Sequence, residues 1–570
     1  MAQHPSPGVY SKIIDLSDYV QTYPSTVGFI PIICEQGEDN KLIDTNSRDF
    51  YIDFGEPNIN YATKVFGQGP YVASAFFRES DSLKIIRCLP SDAAFSNLVI
   101  TAEPTASVGA DTTSDIATTS LSAQNTTNEM DTSLETNENV VIFYGVGRGE
   151  YYNNFKISIT KHANPQLSDA QYVGSNDFVY VLDIYKKQTE KDESGADQYE
   201  IISSFDVSFN LNAVDTSGES LWIEDVLNRY SRYIKCIADS TKCLTAIEND
   251  ADFSQPFTSA VALTNGTSGT LFDTDNVINS TVATQILTKA YNGTLEKKSV
   301  DDQSSTLYVD EVLDTDNQHF TVVFDGGYPT SVKTSGIYTL VQSRKDCIAF
   351  IDNGDTVSTD RAVNNRDNNH TFNTKYMALY EPYSKVYDAF TGKDLWLTPV
   401  YHMAAIVPFT DNIGQIWDAP AGFNRATIAN IKELRYSPNQ TQRDTLYLKQ
   451  INPIVKFNVG LTVFSQLTTQ KRPTALQDIN VVRLLLYIQK ALSQYCKFYI
   501  FELNDSVTWD AISEDVTKFL KVIQNKRGLY SFSVDVGANE YEIKAKRIHV
   551  NITLEPTKVV EQIHLNYFIK

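Results

Sequence analysis

Residues 101–139 contain ten threonines, five serines and seven acidic residues, but no lysine, arginine or aromatic residue. Such a stretch buries too little apolar surface to offset the entropy of ordering it, and it reads as a linker or solvated loop. It divides the chain into parts of different texture. Before it, residues 25–34 (STVGFIPIIC) are a strand candidate interrupted by Pro31, residues 68–79 a short helix, and residues 83–90 (LKIIRCLP) a buried strand. Residues 7–16 form an extended segment opened by a proline. The first hundred residues are therefore α/β in texture.

Residues 140–346 are strand-rich. FVYVLDIYK (178–186) and YEIISSFDVSF (199–209) suggest a long hairpin, and residues 221–238 an amphipathic helix. Beyond Ala251 the Asn, Asp, Thr and Gly content predicts exposed β structure with many turns. From Cys347 the α/β texture returns. CIAFIDNG is a buried strand, and residues 375–396 are aromatic-rich with a Thr-Gly turn. Residues 478–495 and 508–527 are helices, the second closed by Gly528 at its C-cap. Strands are expected at 530–536, 541–554 and 559–569. The apolar phase slips around Lys546 and Arg547, which suggests a bulge or bend.

The chain has 570 residues, enough for roughly three or four domains. Its net charge of −22 is uneven. Residues 451–570 hold 15 Lys/Arg against 11 Asp/Glu, a net of +4, so the preceding 450 residues carry −26. An acidic body repels phosphates, which argues against nucleic acid as the main partner. The asymmetry suggests a body facing solvent and a C-terminal region facing something acidic or densely packed. The six cysteines (34, 88, 236, 243, 347, 496) are scattered without a Cys-x-x-Cys, so reduced thiols are expected rather than a disulfide or zinc framework. MAQHPSPGVY lacks the regions of a signal peptide, and no window approaches 18 apolar residues.

Chemical motifs are weak. GVGRGEYYNN (145–154) resembles a phosphate loop, but it lacks the GK[ST] ending and runs into an alternating strand pattern. FDTDN at Phe272 and LDTDN at Leu313 lack the later glycine and glutamate of a calcium loop and read as acidic turns. There is no Gly-x-Ser-x-Gly elbow and no distinct carboxylate pair, so an enzyme is not expected and no catalytic, metal or cofactor residue is assigned. At the C-terminus Ile563, Leu565, Tyr567 and Ile569 alternate with polar residues. Such a strand can pair within its own domain or complete a neighbour's sheet. The helix at 508–527 carries Asp510, Glu514 and Asp515 early and Lys518, Lys521, Lys526 and Arg527 late. That order complements the helix dipole, or makes a basic tip for an acidic partner.

WDAPAGFNRATIANI (417–431) has a tight Ala-Pro-Ala-Gly corner followed by Asn424 and Arg425. It resembles the Pro-Ala-Gly/Asn-Arg motif of contractile tail sheath proteins of phages and related injection machines. DCIAFID, YMALYEPYSKVYDAFTGKDLWLTPV and HMAAIV upstream also resemble that family, as do NPIVKFNVGLTVF, INVVRLLLYIQKAL and FYIFELND downstream. SPGVY is similar to its N-terminal arm, and GEYYNNFKISI to its Gly/aromatic/Asn turn. Where the family often has a glycine after Asn-Arg, this chain has Ala426.

The resemblance implies a multidomain α+β or α/β protein. Its mixed core would be formed by N- and C-terminal parts, with strand-rich insertions between. The expected layout is an arm (1–20), a first core part (21–100), the linker or loop (101–139), an outward insertion (140–345), the C-terminal core (346–556) and a terminal arm strand (557–570). Pro420, Gly422, Asn424 and Arg425 would then be architectural. The arms would be Pro7, Gly8, Val9, Tyr10 and Ile13 at one end and Ile563, Leu565, Tyr567 and Ile569 at the other. The host hairpin would include Phe532, Val534, Ile543, Ile548, Val550 and Ile552, with Lys518, Lys521, Lys526 and Arg527 facing a tube.

The implied function is a structural subunit that polymerises helically around an inner tail tube, in six-fold rings, and contracts for genome ejection. Implied partners are further copies, the tube protein, and baseplate and terminator proteins, with no direct nucleic acid or membrane insertion and no cofactor. The implied location is the virion, after assembly in host cytoplasm. The alternatives are the sheath of a secretion system or bacteriocin, or a β-rich adhesin that binds glycans.

Overall fold

Strands that are apolar along nearly their whole length can be satisfied only when both faces are covered. GFIPI (Gly28–Ile32), LKIIR (Leu83–Arg87), IAFID (Ile348–Asp352) and MALYE (Met377–Glu381) are buried at every position. The computed structural model describes residues 26–104, 119–124, 139–166, 178–191, 195–249, 251–273, 275–297, 307–561 and 564. In it these strands form the middle of a nine-stranded sheet. Leu83–Arg87, Gly28–Ile32, Val322–Phe324, Ile348–Asp352, Met377–Glu381 and Ile451–Phe457 lie side by side and parallel. Antiparallel strands finish both ends: Ile43–Thr45 at one, Gly460–Val463 and Thr427–Ile428 at the other.

Alternate side chains point to opposite faces, and both faces are apolar. Phe29, Val323, Ile351 and Leu379 pack with the helix Ser280–Asn292 and with Leu340 and Val341. Ile30, Phe324, Phe350 and Tyr380 pack with the helices Gly69–Phe76 and Val400–Ile413. Pro31 interrupts nothing. Gly28 and Ile32 bond toward Leu83–Arg87, so Pro31 faces the other side, where Val322–Phe324 pairs only with Gly28 and Phe29. Its missing N–H is not needed there, and its carbonyl accepts from the Tyr328 hydroxyl at 2.6 Å.

Several boundaries differ from the sequence reading. Val322–Phe324 and Ser280–Asn292, within the segment read as outward insertion, belong to the central sheet and its cover. VVF is too short and apolar to stand alone, but it fills the gap between two buried parallel strands. Asn97–Pro104 and Thr119–Gln124 overlap the stretch read as linker. They pair with each other and, through Asn97–Pro104, with Asn139–Gly145. Leu98, Val99 and Ile100 supply the burial, and the ladder continues from them into the polar stretch. The helix expected over 221–238 is instead a helix, Ile223–Tyr230, followed by a strand, Ile234–Ala238. The Asn228 amide bonds both backbone groups of Cys236 (3.0 and 3.1 Å) and folds the strand back on the helix.

The strand-rich region holds two four-stranded sheets around one apolar cluster, including the long hairpin Phe178–Lys191 and Asp197–Val207. Buried arginines lock it to the core. Arg87 donates to the carbonyls of Cys34, Glu35, Gly37 and Arg148 at 2.8–3.1 Å. Arg148 pairs with Asp39 at 2.5 Å. The glycines of GVGRG permit this approach, since a Cβ on Gly147 would sit 1.9 Å from the Gly37 carbonyl oxygen. The acidic turns at 273 and 314 accept backbone N–H groups of their own loops.

At the C-terminal ends of the parallel strands, Lys333 is buried between Asp352 (2.6 Å) and Asp325 (3.2 Å). Asp352 also accepts from the Tyr383 and Thr398 hydroxyls (3.0 and 2.8 Å). Burial pushes the Asp325 carboxyl upward against Lys333. Burial works on Asp352 in the same sense, but Lys333 and the hydrogen bonds outweigh it and lower its pKa. Removing the cation leaves buried acid groups uncompensated, so Lys333→Met is expected to cost about 3–5 kcal/mol in denaturant unfolding.

Burial also pushes the His370 and His402 imidazoles down to about 3. The unfolded chain binds these protons more readily, so their contribution is intact above about pH 6.5 and is lost as pH falls toward the folded value. Unfolding midpoints should drop as pH is lowered from about 7 to about 4, and less steeply in a His370→Gln/His402→Gln double variant.

Candidate inter-subunit surface

The helix Ile479–Lys497 has two apolar sides. Val482 and Leu486 pack under the central sheet, and Leu484, Ile488 and Leu492 turn to a separate cluster. The helix Ser506–Asn525 fills that cluster with Ile512, Val516, Leu520 and Ile523, at spacings of four, four and three. Asp505 caps its start by accepting from Thr508 N at 3.0 Å. At its end Arg527, rather than the expected Gly528, takes the left-handed conformation (φ 65°). Gly528 answers a different need. A Cβ there would lie 2.6 Å from the Ile523 side chain and 3.1 Å from the Trp417 ring.

A hairpin of Leu529–Gly537 and His549–Pro556 follows, with Val534 opposite Ile552 and Val536 opposite Val550. Phe532, Val534, Val536, Val550, Ile552 and Leu554 turn one face to the helix cluster. Ser531, Ser533, Asp535, Asn551, Thr553 and Glu555 are exposed on the other. Residues 541–548 are not strand as the sequence suggested. Glu540–Lys544 is a helical turn, closed by a reciprocal Asn539–Glu542 cap, and Lys546 takes a positive φ of 57°. Ile543 therefore sits on that turn, exposed, and Ile548 leads half-buried into the strand. This turn accounts for the phase slip. The bulge of the hairpin lies instead between Leu529 and Ser531.

Among the described residues the hairpin is a two-stranded sheet with no third strand. Each outer edge therefore presents unpaired backbone groups, apart from the Tyr530 carbonyl, which accepts from the Gln524 amide at 2.7 Å. The arm residues Pro7, Gly8, Val9, Tyr10, Ile13, Ile563, Leu565, Tyr567 and Ile569 lie outside the described residues. Lys518, Lys521, Lys526 and Arg527 are all exposed. Lys518 pairs with Glu514 at 2.9 Å, and Lys521 donates to Gln524 at 2.9 Å.

The corner motif joins this C-terminal unit to the sheet. Trp417 packs in the C-terminal cluster, and its indole N–H donates to the Lys526 carbonyl at 3.3 Å. Pro420 is buried. Gly422, at φ 85°, donates its N–H to the Val463 carbonyl at 2.9 Å, and its own carbonyl accepts from Ala426 N at 2.9 Å. Arg425 lies 3.5 Å from Asp418, and Asn424 is exposed. Ala426, in the place of the family's frequent glycine, is fully buried. Its carbonyl accepts from Val463 N at 3.2 Å, so the corner forms with alanine there.

Beside the corner lies a groove of about 1100 Å³. Its lining includes Trp417, Arg425, Phe464, Ser465, Arg527, residues of the helix Gln440–Leu448 and the chain at 557–561. The sequence reading missed this helix. The pattern Asn439-x-x-Gln442, a reciprocal cap in the structure, signals its start. Among the described residues no group of three or more His, Cys, Asp or Glu side chains could hold a metal.

Two substitutions test the corner. Trp417→Ala should cost about 3–5 kcal/mol and speed amide exchange in the Leu529–Gly537 strand before the Gly28–Ile32 strand. Gly422→Ala meets no atom within 4 Å, so only its positive φ opposes the change and the cost should be about 1–2 kcal/mol.

Residues 471–570, which contain both helices and the hairpin, match the phage tail sheath C-terminal domain. The chain is 27% identical over 375 residues to the tail sheath protein of Vibrio phage KVP40, covering 65% of this chain and 53% of that protein. It is 27% identical over 205 residues to the tail sheath protein of Enterobacteria phage T4, covering 35% of this chain and 31% of that protein. The chain thus spans about half the length, or less, of these relatives. A sheath tail protein from Listeria innocua superposes with a TM-score of 0.55 at 11% identity, covering 95% of this chain and 94% of that one, and so shares its fold. Residues 471–570 thus carry the phage tail sheath C-terminal domain, and the chain is similar in sequence to tail sheath proteins of phages.

Proposed function

We propose that the protein is the structural subunit of a contractile phage tail sheath, polymerising around an inner tube and shortening to drive that tube through the host envelope. The observation that carries the reading is the hairpin Leu529–Gly537/His549–Pro556, whose one face is held by a helix and whose outer edges have no partner strand among the described residues. A strand added from another copy would gain main-chain hydrogen bonds, with side-chain alternation setting its register. The chain ends, at 1–20 and 557–570, are the donors. A donor on one surface and an acceptor on another make a heterologous contact, which propagates as a helical array when it does not close.

Each subunit moves as a body. The doubly covered sheet and its buried Lys333 cluster resist deformation, so contraction repacks the surfaces between subunits while the exchanged strands keep them linked. No nucleotide step is invoked; new contacts between subunits supply the free energy. The acidic insertion faces outward and the near-neutral C-terminal unit inward. Lys518, Lys521, Lys526 and Arg527 meet the tube. The partners are further copies in six-fold rings, the tube protein, and the baseplate and terminator proteins of the virion.

Negative-stain electron microscopy of the full chain beside one lacking residues 559–570 tests the reading. Tubes or rings from the first and none from the second are expected. Discrete monomers or trimers from both would remove the strand-exchange mechanism. Replacing the four basic residues by glutamate should weaken co-sedimentation with the tube on the order of tenfold at low salt, and unchanged co-sedimentation would refute their tube-facing role.

A further inference from the structure

Residues 557–561 run beside the corner motif and line its groove. After His549–Pro556 the Thr557 N–H donates to the Gly528 carbonyl at 3.1 Å, which directs the next residues along the groove. Glu561 is the outer point of attachment: its Oε2 accepts from the Tyr447 hydroxyl at 2.7 Å. Val560, between the two points, is 78% exposed and contributes little packing. A second carboxylate opposes the attachment. Burial and then Glu561 push the Asp478 acid up to about 6, with Lys558 acting against them. Among the described residues the segment is held by the Thr557 N–H and by one side-chain bond at Glu561, while Asp478 repels Glu561 and, less strongly, attracts Lys558. The groove that residues 557–561 line has a volume of about 1100 Å³. The buried Ser465 hydroxyl on its wall has no partner in the described structure. Tight packing around this hydroxyl would have given it a partner.

We propose that residues 557–561 form an intramolecular strap, latched by Tyr447 and Glu561, that keeps the chain end on its own subunit until assembly withdraws it. This rests on the sheath reading, in which residues 559–570 reach a neighbour. While Glu561 is bound to Tyr447, residues 557–561 run along their own groove, so the latch must open before these residues can join a donated strand. A weak latch suits that task. It suppresses premature joining of free subunits, and a neighbour's hairpin edge, offering a whole ladder, outcompetes it.

Trypsin cleavage after Lys558, followed by mass spectrometry of the released end in the full-length free subunit, reads the strap directly. Tyr447→Phe removes the latch and should speed cleavage about fivefold, the effect of one surface hydrogen bond. Asp478→Asn removes the repulsion, retains a good helix N-cap residue and should slow cleavage about twofold. Cleavage after Lys544 serves as the control for general unfolding and should not change. Equal rates at Lys558 in all three proteins would overturn the latch. Onset of tube formation should come earlier in Tyr447→Phe and later in Asp478→Asn. Changed cleavage with identical onset would overturn its role in assembly. Changed cleavage with no tubes from any protein would support the latch and refute the sheath reading instead.

Discussion

The parallel pairing of Gly28–Ile32 with Val322–Phe324 is the constraint on which the rest depends. It closes a loop of nearly three hundred residues, with Thr321 and Val27 in contact at a separation of 294 positions. Closing so long a loop costs only slightly more entropy than closing a short one, because the penalty grows with the logarithm of length. What it requires is a strand pair that is worth closing. GFIPI and VVF meet this by burying both faces, so the ladder is enclosed between two helical layers. A large insertion can then be carried without weakening the sheet, provided its base is fixed. Arg87 and Arg148 fix it with bonds to backbone carbonyls and to Asp39.

The C-terminal unit uses another logic. It shares the helix Ile479–Lys497 with the main body and adds a small cluster of its own, joined through Trp417. A two-stranded hairpin alone is marginal in water. This one is held because six of its apolar side chains rest on the helix Ser506–Asn525 and its surroundings. Packing stabilises the face, while among the described residues neither edge has a partner strand, so the stability of the hairpin does not depend on a third strand. The corner at 417–426 therefore matters for geometry: it sets where that open edge stands relative to the rigid sheet.

Much of the central fold was legible in the sequence, because the buried strands are short apolar runs bounded by turns. LKIIR and CIAFID announce themselves, and so does the long hairpin at 178–207. Val322–Phe324 did not, since three apolar residues in a polar neighbourhood look like chance until two parallel neighbours claim them. The helix expected at 221–238 failed for a related reason. Its apolar spacing fits a helix, but the Asn228 side chain's bonds to Cys236 decide in favour of a turn back into a strand. At the candidate surface the phase slip near Lys546 was visible, and its cause was not. Asn539-x-x-Glu542 marks a helical turn as plainly as any bulge signal, and Ile543 moves off the sheet with it. The groove could not be read at all, because it is assembled from residues 415–466, 480–484, 526–528 and 557–561, which only the fold brings together.

The hairpin edge and the groove beside the corner bear on each other. A sheet edge that accepts strands is a hazard before assembly, and proteins usually blunt such edges with charge, brevity or cover. Here the hairpin residues on the exposed face are mainly Ser, Thr, Asn, Asp and Glu, which keeps the surface solvated. The remaining control is over the supply of strands. On the strap proposed above, residues 557–561 are withheld from a neighbour's edge, so donor and acceptor can coexist on one molecule at high concentration. The weakness of the attachment then follows from its purpose. A segment packed to interior density would be too costly to lift, whereas one whose side-chain attachment among the described residues is an exposed tyrosine–carboxylate bond can be exchanged for a ladder of main-chain bonds.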